Sequence, residues 1–360
     1  MAKVKARLVT RKAETTVPPI VSWIVTGRCN MRCLHCYPGS GPDYAGPELG
    51  FEQQAEAVAR LAAGGVKSVF LSGGEVFLLP HLFDLVGLIH RHGMTSWICT
   101  NGSLIDRAVA SRIASAGVNG VSVSLDSSDP QIHDRFRVHP GAHDKAMRAI
   151  RLLREMEVTV DADYTATRAN GQGLEALLPL VSELGVKSLF LKRFRPLGRG
   201  LQHAARLALS VEEYRDVAER LVRSYPGSGT EVCFEDPALY AYYRKIAAGD
   251  SIRLDSVYAR FGCLAGVIWL GLQPNGDITP CPLLNVVVGS VLRDDLPPLL
   301  EGSGIMARLM NRDDRGGRCG NCDDRWKCGG CRAHAHAVSG DCFAEDPFCL
   351  RSLVVERGGE

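Results

Sequence analysis

Between residues 20 and about 205 the apolar positions keep changing period. Short runs rich in β-branched and aromatic residues recur: "VSWIVT" (21–26), "VKSVFLS" (66–72), "TSWICT" (95–100), "GVSVSLD" (120–126), "VTVDADYTAT" (158–167) and "VKSLFLK" (186–192). Between them lie stretches of helical period such as "FEQQAEAVARLAAGG" and "HDKAMRAIRLLREME", the first ending in glycines that suit a helix C-cap. Strands alternating with helices, without hairpin signals, predict parallel βαβ units. Six units are too few for a closed eight-fold barrel. The chain is therefore expected to be α/β, a partial (β/α)6 barrel or open sheet, with ligands at the C-terminal ends of the strands.

After about residue 205 the pattern changes. "VEEYRDVAERLVRSY" and "PALYAYYRKIAAG" read as helices, and "VIWLGLQPNGDITPC" as a hairpin turning on Pro-Asn-Gly-Asp. The remainder is rich in cysteine and glycine with little periodicity, so it needs staples rather than an apolar core. This divides the chain into a flexible arm (1–19), a barrel (20–205), a helical connector (206–255) and a cysteine-rich unit (256–360).

Composition narrows the class. The 360 residues are 46% hydrophobic and 23% charged, ordinary globular usage. No apolar run approaches a membrane span, and the arm lacks the apolar region of a secretory signal, so a soluble cytoplasmic protein is expected. The net charge is +2, but residues 1–19 carry five Lys/Arg and one Glu; the rest is slightly acidic and offers no stripe for nucleic acid. Thirteen cysteines, an odd number, suit a metal or redox protein better than a disulfide scaffold. Three lie at 29–36, eight between Cys263 and Cys349, and Cys99 and Cys233 stand alone as expected core residues.

In "CNMRCLHC", Cys29, Cys33 and Cys36 have the spacing of one helix face, the pattern of three small buried hydrophobes. The segment follows directly on a strand, however, and "GRCN" places turn formers where a helix would start, so a loop is expected. A structural zinc site would want four ligands and would need His35 as well. An iron–sulfur cluster on three thiolates keeps one iron open to a reactant.

Taken with its surroundings, this segment resembles the CxxxCxΦC signature of the radical S-adenosylmethionine (SAM) superfamily, with His35 at the position of the usual planar side chain and Tyr37 beside it. The resemblance continues along the strand ends. "SGGEV" is similar to the loop in which Gly73, Gly74 and Glu75 receive the SAM amino group, with Val76 where proline is common. "TNG" contributes Asn101, "SVSLDSSDPQIHDRFR" contributes Ser124, Asp126 and Arg137 to the SAM carboxylate and ribose, and "FRPLGRG" places Arg195 to meet SAM or substrate. The resemblance covers residues 21 to about 200. It implies a [4Fe–4S] cluster with one open iron, SAM as cofactor, and an electron donor such as flavodoxin or ferredoxin.

Beyond it, two CxxC pairs, Cys319/Cys322 and Cys328/Cys331, would by spacing alone also suit a zinc knuckle. The order C…GxxxxC…CxxCxxxxxCxxC…C resembles the SPASM extension, which binds auxiliary [4Fe–4S] clusters, with "CGGC" departing from the usual CxxxC. The resemblance implies one auxiliary cluster on Cys319, Cys322, Cys328 and Cys349. It implies a nearer one on Cys263, Cys281 and Cys331, completed by Cys342 or left with an open iron. His334 and His336 are expected to be solvated or hydrogen-bonded rather than ligands.

The substrate is less legible. "KRFRPLGR" puts Lys192, Arg193, Arg195 and Arg199 near the sixth strand's mouth, and such cations suit carboxylates; Lys192, Arg195 and Arg199 are the candidate catalytic residues. "CGGCRAHAHAVSGDCFAEDPFC" is similar to the C-terminal segment of haem-branch enzymes that cleave or decarboxylate porphyrin side chains. The expected reaction is hydrogen abstraction from an anionic small molecule, a porphyrin or a uronic-acid nucleoside, followed by decarboxylation. The rivals are a peptide maturase working with a separate leader-binding protein, since only about twenty residues precede the first strand, and a non-catalytic zinc or iron–sulfur scaffold.

Overall fold

A computed structural model describes residues 17–224, 229–239, 242 and 262–351. Most of the basic arm, and most of the helix expected from Pro237 onward, lie outside them. All six expected strands are present: β1 (Ile20–Thr26), β2 (Ser68–Gly73), β3 (Thr95–Thr100), β4 (Gly120–Ser124), β5 (Val160–Ala166) and β6 (Ser188–Arg193). They pair in parallel in chain order, and β7 (Glu231–Phe234) extends the series by one.

Alternation along each strand gives the sheet two unlike faces. Val69, Leu71, Ile98, Val121, Val123, Leu189 and Leu191 are fully buried beneath helices Phe51–Ala63, Leu82–Arg91 and Ala142–Glu155. The other face carries Phe70, Trp97, Cys99, Ser122, Ser124, Asp161, Asp163, Phe190 and Lys192, all only partly buried except Asp161. It is the inner face of the partial barrel. Phe70 stacks on Trp97 at 5.7 Å and meets Trp269 at 4.9 Å, so its lower part is aromatic.

The hairpin expected around Pro-Asn-Gly-Asp forms as β8 (Trp269–Leu272) and β9 (Asp277–Thr279), with β10 (Gly289–Ser290) beside it. β8 pairs in parallel with β1, so one ten-stranded sheet runs from the cysteine-rich segment through the barrel. Val17, within the arm, is buried against that core.

At the other side of the sheet, Arg193 at the end of β6 ties the barrel to the C-terminal segment. Its guanidinium pairs with Asp236 and, at 3.4 Å, with Asp346, and lies 4.1 Å over the ring of Phe348. All three charged side chains are at most 3% exposed. Burial pushes the Asp346 carboxyl up, but Arg193 and a hydrogen bond to His334 hold it well below the usual range. Breaking such a buried group by removing one partner costs about 3–5 kcal/mol. Arg193→Met is therefore expected to lower unfolding stability by about that amount at pH 7, measured by denaturant titration. Because the Asp346 pKa is depressed, the wild-type excess over the variant is full above about pH 4 and falls as the pH drops below it.

Candidate functional site

Cys29, Cys33 and Cys36 lie in an irregular loop after β1, packed in one buried patch with Met31 and Ala142. Burial pushes the Cys29 thiol up to about 12, and the charges of Cys33, Glu75 and Cys36 add to the shift. A buried thiol raised this far stays protonated unless an electron-pair acceptor takes its thiolate, which is what an iron cluster does. His35 does not join them: its ring stacks on Phe136 at 4.2 Å and 5°. Its buried Nδ1 has no hydrogen-bond partner, and burial, then Arg137, pushes its pKa down to about 3. His35 is thus a neutral planar ring held by stacking on Phe136.

The strand-end motifs converge on this loop. Gly74 N–H donates to Thr26 O at 2.7 Å and Glu75 N–H to Arg28 O at 2.9 Å. A Cβ on Gly73 would stand 2.4 Å from Thr26 O, and one on Gly74 2.0 Å from Arg28 O, so only glycines let the loop meet β1. Glu75 Oε1 accepts from the Thr100 hydroxyl and Phe77 N–H, and Oε2 from Asn101 N–H at 2.9 Å, which leaves room for one more donor at Oε2. Asn101 Nδ2 reaches Asn30 at 3.0 Å and Cys29 Sγ at 3.9 Å. Asp126, fully buried, binds the Arg137 guanidinium, whose Nη1 lies 3.8 Å from Cys33 Sγ. Ser124 ends β4, opposite Asp163.

The second thiol centre has its own electrostatic signature. Cys281 is pushed up to about 12 by burial, then by Cys263 and Cys331. Cys328 is pushed up by burial with Asp346, Asp236 and Cys319 among its charged neighbours, and Cys319 has Cys349 among its own. Cys322 Sγ accepts from Arg351 Nη1 at 2.9 Å. Cys342 is buried beside Asp341, Arg332 and Arg315. Arg332 is fully buried and donates to the carbonyls of Gly330, Cys342 and Ala344 and to Cys319 Sγ; Arg315 donates to those of Arg308 and Leu309. Among the described residues no carboxylate hydrogen-bonds to either guanidinium. Buried cations of this kind need a counter-charge, and thiolate-held iron clusters supply it. "CGGC" follows from the same crowding: Gly330 has φ +61°, and a Cβ there would stand 2.4 Å from Arg332 Nη2 and 3.1 Å from Cys319 Sγ.

Two features differ from the sequence reading. The four cations do not form a free anion site. Arg195 donates to Cys331 Sγ at 3.0 Å and to the carbonyls of Arg193 and Glu235 rather than facing a vacant site. Arg199 braces the first thiol loop through the carbonyls of Cys33, Gly39 and Ser40, and Arg193 is held by carboxylates. Lys192 alone belongs to the inner face, 2.9 Å from Asp163 and 3.6 Å from Glu235. Chain order misleads here because alternation and a turn at Pro196 send neighbouring cations to different partners.

Sequence reasoning also passed over Asp161, Asp163, Glu235, Asp236 and Asp346. The signal was available for two of them, since "VDADY" places acids at alternate positions of a β run. Tyr37, expected only to touch cofactor, has Lys192, Cys99, Cys36 and Cys281 as its charged neighbours and so lies between the two thiol centres; burial keeps its phenol neutral. Cys99 and Cys233 lie on strands, half-buried. His334 hydrogen-bonds Asp346 at 2.7 Å.

Comparison with known proteins places this geometry. The Radical SAM superfamily profile matches residues 23–171. The chain is 30% identical over 356 residues to the pre-heme d1 synthase of Dinoroseobacter shibae, covering 94% of this chain and 88% of that protein. It is 26% identical over 346 residues to an AdoMet-dependent heme synthase of Methanosarcina barkeri, covering 94% and 98%. The crystal structure of Streptococcus suis SuiB bound to precursor peptide SuiA shares the fold, with TM-score 0.76 and 16% identity over 97% of this chain and 79% of that one.

Asp161 yields a pH test. Its Oδ1 is buried without a partner, and burial pushes the carboxyl up to about 6. A raised pKa means that ionisation opposes folding, so the cost is absent below about pH 4 and grows as the pH rises through 6. Asp161→Asn is expected to stabilise the protein by about 1–3 kcal/mol at pH 8 and little at pH 4.5, read from unfolding curves at the two pH values.

Proposed function

The chain belongs to the radical SAM superfamily, and on that premise we propose that it abstracts a hydrogen atom from a carboxylate-bearing tetrapyrrole, which then loses CO2 and gives up one electron to a one-electron acceptor of the iron–sulfur class. The observation that carries this reading is the polarity of the inner face. Its lower part is aromatic, with Phe70, Trp97 and Trp269 in contact, and its upper part holds Ser124 and Lys192, the latter near Tyr37, which also has Cys36 among its neighbours. A planar apolar body carrying an acidic arm suits that division. The similarity to an AdoMet-dependent heme synthase, running through the cysteine-rich segment, favours a tetrapyrrole over a nucleoside.

When bound, SAM and the [4Fe–4S] cluster on Cys29, Cys33 and Cys36 supply one-electron, hydrogen-abstracting chemistry. The chain's own groups do the rest. Asn101 and Arg137 fix two of the three thiols, and Glu75 Oε2 keeps an acceptor position for the SAM amino group. Neutral Tyr37 offers a hydroxyl without adding charge. Lys192 orients the substrate carboxylate, sharing its charge with Asp163 and Glu235. These two acids crowd an incoming carboxylate with like charge, a repulsion that departure of CO2 relieves. A small reductant protein of the flavodoxin or ferredoxin type supplies the electron.

The test uses anaerobically reconstituted enzyme with dithionite, SAM and a panel of carboxylated porphyrins, uronic-acid nucleosides and peptides. Equal yields of 5′-deoxyadenosine and CO2 with a porphyrin are expected. Substrate-dependent 5′-deoxyadenosine without CO2 would overturn the decarboxylase reading, and dependence on a peptide with a partner protein would move it to peptide maturation. The triple variant Cys29/Cys33/Cys36→Ala is expected to retain auxiliary iron, by iron analysis, and to lose SAM cleavage.

A further inference from the structure

We propose that Arg195 sets the reduction potential of the auxiliary cluster nearer the barrel, through its hydrogen bond to Cys331. Two residues past the end of β6, it is 9% exposed, and its Nε lies 3.0 Å from Cys331 Sγ. Its remaining donors go to the carbonyls of Arg193 and Glu235, at 3.1 and 3.3 Å. The nearby acids are otherwise engaged: Asp236 with Arg193, and Asp346 with Arg193, His334 and Cys331 N–H. The charge of Arg195 is therefore directed at sulfur.

The other guanidinium–sulfur contacts differ. Arg137 lies 3.8 Å from Cys33 Sγ and is neutralised by Asp126. Arg332 lies 3.8 Å from Cys319 Sγ. Arg351 reaches Cys322 Sγ at 2.9 Å but shares its guanidinium with Asp323 at 3.2 Å, and both are partly exposed. Among the described residues only Arg195 combines a short contact, burial and freedom from a carboxylate hydrogen bond.

Reduction adds one negative charge to a cluster. A buried N–H donor carrying positive charge stabilises that added electron, so it raises the potential of the cluster it touches. Arg195 belongs to the barrel rather than to the cysteine-rich segment, so the strand that borders the substrate face also adjusts the nearer cluster. The inference rests on the superfamily assignment and on Cys331 holding a cluster; it is independent of the substrate and of CO2 loss.

The experiment is EPR-monitored redox titration of fully reconstituted wild type, Arg195→Gln and Arg195→Lys, with iron content measured in each. In Arg195→Gln one auxiliary signal is expected to become at least tenfold harder to reduce, about 59 mV for a one-electron couple, with the SAM-binding cluster unchanged. Arg195→Lys keeps the charge and is expected to stay within about threefold of wild type. An unchanged potential in Arg195→Gln at full iron content overturns the proposal. So does an equal shift in both variants, or an equal shift in every cluster. If Arg195→Gln does not load iron, Arg195→Met takes its place, with the same loss expected and an unchanged potential at full iron content overturning the proposal.

Discussion

Buried guanidinium groups facing sulfur are the feature on which this molecule hangs. Arg137, Arg195 and Arg332, and beside them the partly exposed Arg351, each direct a donor at a cysteine Sγ. A buried cation without a counter-charge is strongly unfavourable, and a neutral thiol is a poor partner for it. When thiolates bind an iron cluster the balance reverses, because the assembly is anionic and the arginines are already in place. The segment after residue 262 does not rest on sulfur alone: Leu270, Leu272, Ile278, Leu296, Leu300, Met306 and Leu309 bury an apolar core of its own, continuous with that of the barrel.

Asp346 ties the expected auxiliary sites to the barrel. Its carboxylate accepts from Cys331 N–H at 2.8 Å, its own N–H points at Cys319 Sγ at 3.4 Å, and it pairs with Arg193 on β6. One residue thus positions a ligand of each expected auxiliary site against the strand that carries Lys192. The expected auxiliary sites and the inner face thus share a rigid element, and rigid elements hold a site more closely than loops do.

How much of this was legible follows from range. The six strands, the hairpin and the first thiol loop were readable because their signals are local: period-two runs, a Pro-Asn-Gly-Asp turn, cysteines directly after a strand. β7 was missed because four residues, "EVCF", carry too little pattern. The destinations of Arg193, Arg195 and Arg199 were misjudged for a different reason. A cluster of cations in sequence does not reveal acids and carbonyls more than thirty positions away, such as Asp236, Glu235 and Cys33, and those partners decide where each charge goes. The glycines of "CGGC" were likewise visible only as a spacing, whereas their cause is Arg332 folded back against Cys319.

The topology adds a final step. The C-terminal segment grips both sides of the sheet, through β8 on β1 and through Arg193 near β7. A cover hinged at one edge would swing open, but one held at two edges cannot do so without breaking either a strand pairing or a buried ion group. Any movement of the C-terminal segment away from the barrel therefore disturbs one of the two attachments. The acids on the inner face add a second constraint. Asp163 and Glu235 already balance Lys192, so on the proposed reading a substrate carboxylate competes with two acids for a single lysine.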